Sequence, residues 1–124
     1  MALALAGGLG LLLAARDEAA TEVASGPGML VPAQDGRQSE VLRAGNVILV
    51  AGRGRVEEAR ALARRLAGGE ATAALRAAGQ AVVVQEGPGR GGIVAVAWRR
   101  QLRAERAEDP ALEAFVEYWL GRGA

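Results

Sequence analysis

Hydrophobic residues are spread unevenly along the chain. Residues 1–15 (MALALAGGLGLLLAA) carry no charge, and Arg16, Asp17 and Glu18 follow at once. A spanning helix needs roughly 20 apolar residues, with about 17 as the lower limit. Fifteen residues with three glycines are short for that. They match a signal-peptide core, which runs about 7–15 residues. The basic flank of such a peptide is missing, because Ala2 follows Met1 directly. The stretch therefore predicts an N-terminal apolar helix that targets or anchors the chain at a membrane. Either the true start lies further upstream, or the segment is a short anchor helped by bilayer thinning. The competing expectation is a buried helix of a cytoplasmic protein.

Residues 16–46 are polar and poor in large apolar groups, with turn-forming segments at Ser25-Gly26-Pro27-Gly28 and Pro32-Ala33-Gln34-Asp35-Gly36. Residues 16–44 read as a linker or irregular lead-in, with a short strand at 29–31. A small domain then occupies residues 45–124. Its first element is the run Val47-Ile48-Leu49-Val50, a buried strand by its shortness and β-branched content. Residues 55–67 follow as a helix, with Val56, Ala59, Leu62, Ala63 and Leu66 on one face. Glu57 and Glu58 in its first turn and Arg64 and Arg65 in its last complement the helix dipole.

A short helical piece at 70–78 leads to a second buried strand at 81–84. The loop Gly87-Pro88-Gly89-Arg90-Gly91-Gly92 then introduces a third strand at 93–98, expected to pair antiparallel with the second as a hairpin. Asp109 as N-cap and Pro110 at the first helical position open a last helix, with Leu112, Phe115, Val116, Trp119 and Leu120 as its apolar stripe. The order β-α-α-β-β-α predicts an α/β (α+β) fold. Its mixed sheet would have three or four strands, packed by two or three helices. The first two strands flank a helical crossover and are expected to be parallel.

Composition narrows the chemistry. The chain has 124 residues with no Cys and no His, and its 15 basic residues are all Arg, so Lys is absent too. Those absences remove disulfides, thiolate and Schiff-base nucleophiles, histidine bases and Cys/His zinc sites. Arg without Lys, beside abundant Ala and Gly, is what the codon bias of a high-GC genome produces. The net charge of +1 lacks the strongly basic footprint of a nucleic-acid binder. No nucleic acid, metal or cofactor is expected.

Two candidate contact sites remain. Gly52, Arg53, Gly54 and Arg55 join a strand to a helix, where glycine backbone and guanidinium groups can meet an anion. The dinucleotide pattern Gly-x-Gly-x-x-Gly fails there, because Glu57 holds the third position. The alternative reading is a tight structural turn. Residues 98–106 hold Arg99, Arg100, Arg103 and Arg106 beside Trp98, and could touch anionic headgroups or an acidic partner. Their alternative is a solvated face. Tyr118, off the apolar stripe of the last helix, joins them as an exposed contact. The loop at 87–92 precedes a strand and reads as a flexible hairpin loop. Glu57/Glu58 and Glu108/Asp109 sit at helix starts and read as caps rather than an acid/base pair. Ser25 and Ser39 have no base to activate them.

Gly92-Ile93-Val94-Ala95-Val96-Ala97-Trp98, then Glu108-Asp109-Pro110, Phe115 and Gly121-Arg122-Gly123, resemble a bacterial family, the domain of unknown function numbered 3105. Gly45-Asn46-Val47-Ile48-Leu49-Val50 resembles that family's Gly-Gly-Val strand, and Gly26-Pro27 its Gly-Pro-His segment. The likeness spans residues 25–123. Where the family carries His, this chain has Gly28. Where the family has Leu-Glu-His-Gly, this chain has Leu42-Arg43-Ala44-Gly45. The resemblance implies a retained fold whose polar, metal-suited site is lost, and a membrane segment ahead of it.

These readings converge on a non-catalytic small domain of the bacterial cell envelope, tethered or exported, acting through protein or membrane-surface contacts. An accessory subunit of a larger membrane complex and a small-anion or nucleotide-binding module at residues 52–55 are the alternatives.

Overall fold

The computed structural model describes residues 26–124. The apolar start and residues 16–25, including Ser25, lie outside the described residues.

A five-stranded mixed sheet carries four helices. In chain order the elements are β1 (Met29–Leu30), α1 (Gly36–Arg43), β2 (Val47–Arg53), α2 (Val56–Ala67), α3 (Ala73–Ala77), β3 (Val82–Arg90), β4 (Ile93–Ala97), β5 (Arg100–Ala104) and α4 (Pro110–Trp119). Across the sheet the strands run β1-β5-β4-β2-β3. β2 is parallel to β3 and antiparallel to β4, as Val47↔Val82 and Ile48↔Val96 show. The parallel pair follows from the crossover through α2 and α3. The α/β class, the strand at 47–50, the helix at 55–67 and the capped last helix all stand as the pattern indicated. The Asp109 side chain accepts from the Ala111 N–H at 2.9 Å, with Pro110 opening α4.

Three expectations are corrected. The second and third strands form no hairpin, because β4 lies on the far side of β2 from β3. The chain leaves β3 and crosses over the end of β2. There Gly52 donates its N–H to Gly92 O at 2.9 Å and Gly91 donates to Arg53 O at 3.3 Å. A Cβ on Gly52 would stand 2.3 Å from Gly91 O, so this crossing needs a residue without a side chain. Residues 87–90, expected as loop, are instead the outer part of β3.

The sheet also gains β5, formed from the stretch expected to be a charged surface run. It pairs with β4 through a two-residue turn at Trp98-Arg99, where Arg99 has φ 61°. Thirdly, residues 26–44 are not a bare lead-in. The short strand expected at 29–31 is present as β1 and pairs with β5, while the unexpected α1 buries Leu42 completely.

The two sheet faces are covered unequally. One carries the main core. Val47, Leu49, Ala51, Ile93, Ala95 and Ala97 pack there against Leu62 of α2 and against Leu112, Phe115, Val116 and Trp119 of α4. The alanines let the helices approach closely, and Phe115 is the largest fully buried side chain. The other face alternates to Ile48 and Val96, which meet Leu42 of α1. Val50, Val83, Val94 and Trp98 are only partly buried on that side.

Asn46, 2% exposed, locks the entrance to β2. Its Nδ2 donates to Val41 O at 2.9 Å and Arg76 O at 3.1 Å, while Oδ1 accepts from the Ala81 N–H at 2.9 Å. One side chain thereby ties α1, α3 and the start of β3 together.

Candidate functional site

The strand-to-helix junction at residues 52–55 is built mostly for the fold. Gly52 is buried and spends its N–H on the crossing. The Arg55 N–H donates to Gly52 O at 2.9 Å, and Arg55 O accepts from the Ala59 N–H at 3.0 Å. The Arg55 guanidinium pairs with Glu58 at 3.4 Å. Gly54, at φ 88°, faces open space.

Glu58 fills the start of α2. It accepts from the Ala107 N–H at 2.7 Å and from Arg106 Nε at 3.3 Å. The Ala107 N–H and the neighbouring Arg106 hold its carboxyl below the ordinary glutamate range, against a smaller opposing effect of burial. The first turn of α2 carries two carboxylates of its own, Glu57 and Glu58, which repel an outside anion there.

Next to this junction the fold assembles a groove of about 280 Å³. Its apolar floor is Val50 and Val94, directly paired across β2 and β4. The glycine-rich segment 87–92 walls it, and Arg90 and Arg103 line it. Small residues are required here. A Cβ on Gly87 would meet Val50 Cγ1 at 2.7 Å, and one on Gly92 would come within 3.2 Å of Arg103 Nη2. The Arg103 guanidinium thus lies over Gly92. Arg53 is the register partner of Arg90 on β2.

Among the described residues, no carboxylate lies within ion-pair distance of Arg53, Arg90 or Arg103. Arg55, Arg60, Arg64, Arg65 and Arg106 all have one. Glu86, on the same strand as Arg90, sits opposite Ala51 of the main core and so alternates to the other face.

The five residues expected as one surface contact are dispersed. Arg100 is 4% exposed, which overturns its assignment to the surface. It donates through Nη1 to Gly28 O and lies over the Trp119 ring at 5.7 Å, so it docks the chain around Gly28 onto β5 and α4. Arg99 occupies the hairpin turn, where its N–H donates to Gln34 Oε1 at 3.1 Å. Arg106 pairs with Glu58 and Glu108. Tyr118 is half-buried, edge-on to Trp119 and covered by the Arg122 guanidinium at 4.2 Å. Only Arg103 stays exposed and unpaired, on the less covered face.

The carboxylates at helix starts serve as struts and caps. Glu57 pairs with Arg60 at 3.1 Å and Asp109 caps α4. Gly28 stands at φ 89° with a Cβ position 2.5 Å from the Phe115 ring, so no histidine fits there without rebuilding the core. Among the described residues no group of three His, Cys, Asp or Glu could hold a metal ion, and no helix is long and apolar enough to cross a membrane.

Residues 52–55 and 87–92 are separate glycine-rich segments in the sequence. Only the crossing brings them together, and neither Arg90 nor its pairing with Arg53 carried a local signal. No protein-family model matches the chain, and no curated protein or solved structure matches it either.

Proposed function

We propose that the chain is a non-catalytic contact module, held at or exported across a membrane by its apolar start, and working through the less covered face of its sheet. The observation that carries this reading is the unequal coverage of that sheet. α2 and α4 seal one face. On the other, α1 alone covers Ile48 and Val96 and leaves Val50, Val83 and Val94 partly open beside the unpaired Arg103. The carboxylates favour the same reading, since Glu57, Glu58 and Asp109 are each engaged in holding the fold.

The tether is tested by fractionation of the full chain beside a variant lacking residues 1–15. The full chain is expected in the membrane or exported fraction and the deletion in the soluble one. Recovery of the unprocessed full chain entirely in the soluble cytoplasm would defeat the reading.

A second reading has its own observation. Met29 and Leu30 of β1 are 61% and 48% exposed, the two large apolar residues left open at the outer strand of the sheet. An accessory subunit of a membrane complex would cover that edge with a neighbouring chain. Native mass measurement after gentle detergent extraction separates the two, because a lone monomer is inconsistent with a subunit.

A further inference from the structure

We propose that the groove over Val50 and Val94 binds a phosphate-type oxyanion, clamped by Arg90 and Arg103. The inference rests on the contact-module reading and names the chemistry that its open face accepts.

Three observations lead there independently of the α2 N-terminus. The first is charge. Arg53 and Arg90 occupy paired positions of neighbouring strands, where like charges repel. Arg103 extends from β5 to line the same groove as Arg90. Among the described residues Arg53, Arg90 and Arg103 have no carboxylate within ion-pair distance, whereas ion pairs engage Arg55, Arg60, Arg64, Arg65 and Arg106 around α2; Arg37, Arg43, Arg76 and Arg99 share that lack but do not line the groove. A bound anion would supply the missing counter-charge. The planar guanidinium fork matches two oxygens of a phosphate group.

The second is shape. Gly87, Gly89, Gly91 and Gly92 leave four of the six wall positions without a side chain, and Gly89 has nothing within 4 Å of its Cβ position. An anion can therefore reach the backbone closely. At about 280 Å³ the groove falls just below the roughly 300–1,000 Å³ typical of sites for drug-sized ligands. A phosphate or pyrophosphate group fits better than an entire nucleotide.

The third is polarity. The Val50–Val94 floor offers no hydrogen bond that would compete with the arginines, and an apolar wall strengthens charge attraction beside it. The same floor accommodates the first carbons of an esterified phosphate. The source is therefore either a free phosphate compound or a phospholipid headgroup.

The test uses the full chain, in mild detergent where required. Sodium pyrophosphate is titrated calorimetrically at low ionic strength, with sodium chloride as the blank. Vesicles of phosphatidylglycerol are compared with vesicles of phosphatidylcholine by flotation. The variants are Arg90→Gln, Arg103→Gln, their double, and Arg64→Gln as a control whose partner is Glu70. Thermal melts establish that each variant is folded; the groove arginines are exposed and unpaired, so the melts are expected to match the parent.

Phosphatidylcholine binding reports the apolar start, and the excess on phosphatidylglycerol reports the groove. A free-phosphate source predicts pyrophosphate binding that weakens roughly tenfold or more for each groove arginine removed and is unchanged in Arg64→Gln. A headgroup source predicts the same losses in the phosphatidylglycerol excess. Binding of either probe that is indifferent to Arg90 and Arg103, or no binding of both, overturns the proposal. Failure here with membrane location intact leaves the contact-module reading standing. Loss of membrane location with pyrophosphate binding intact does the reverse.

Discussion

Replacing Gly52 with Ala separates the two roles that its glycine-rich turn could serve. Gly52 and Gly54 belong to the same short motif, yet the fold treats them differently. At Gly54 the backbone is left-handed, φ 88°, with open space around the Cβ position. Gly54→Ala therefore incurs only the backbone penalty of an L-residue in that region, about 1–2 kcal/mol. At Gly52 the added methyl meets Gly91 O at 2.3 Å, and backbone must move. That strain is worth about 1–3 kcal/mol. The shift also breaks or lengthens the two hydrogen bonds of the crossing, Gly52 N–H to Gly92 O and Gly91 N–H to Arg53 O, each worth about 0.5–1.5 kcal/mol. Together they cost about 2–6 kcal/mol, a large part of the 5–15 kcal/mol of an ordinary domain. In a domain near 100 residues this lowers Tm by at least roughly 8 °C. Urea unfolding followed by circular dichroism measures both variants. A Gly52→Ala cost equal to or below that of Gly54→Ala would refute the crossing as the reason for this glycine.

Three further predictions test the frame around the groove. Asn46→Ala leaves the buried Ala81 N–H without its acceptor and removes one of two hydrogen bonds to each of Val41 O and Arg76 O. It is expected to cost about 2–4 kcal/mol in urea unfolding, and a cost near zero would mean that α1 and α3 are not tied through this side chain. Arg100→Met removes the donor to Gly28 O. About 1.5–3 kcal/mol of lost stability is expected, with hydrogen exchange quickening first at β1; unchanged stability would return Arg100 to the surface.

Glu58 makes stability depend on pH. Its folded pKa lies below the ordinary value of 4.5, chiefly through the Ala107 N–H and then Arg106. The ionised form is therefore the one the fold stabilises. Its contribution is complete above that ordinary value and disappears as pH falls through the lowered one. Urea midpoints measured downward from pH 6 should decline less in Glu58→Gln than in the parent, and parallel profiles would contradict the assignment.

What the sequence revealed follows from how local each signal was. β2 and β4 are short apolar runs, and α2 and α4 carry apolar stripes with dipole-matched or capped ends. These elements need only their own residues to be seen. β5 has a single large apolar side chain, Leu102, between Arg100 and Arg103, so its alternation is masked by charge. α1 offers only Val41 and Leu42 and has no side-chain N-cap bond. Both form because tertiary packing outweighs weak propensity.

The placement of β4 beyond β2 hangs on a contact between Gly52 and Gly91, residues far apart in the chain. Glycine at either position reads locally as a turn. Arg100 illustrates the same limit, since burial of an arginine depends on Gly28 O and the Trp119 ring, neither adjacent in sequence. For the candidate site, residues 52–55 were visible as a glycine–arginine motif. The groove was not, because it exists only where the crossing sets that motif beside residues 87–92 and Arg103.

Amide chemical-shift mapping of the full chain during a pyrophosphate titration tests this arrangement most directly. Saturable shifts are expected at Gly87, Gly89, Arg90, Gly91 and Gly92, with Val50, Val94 and Arg103 responding across the floor and rim. The first turn of α2, already holding Glu58, should stay still. Shifts centred on Gly54, Arg55 and Val56, or no saturable shift anywhere, would contradict it.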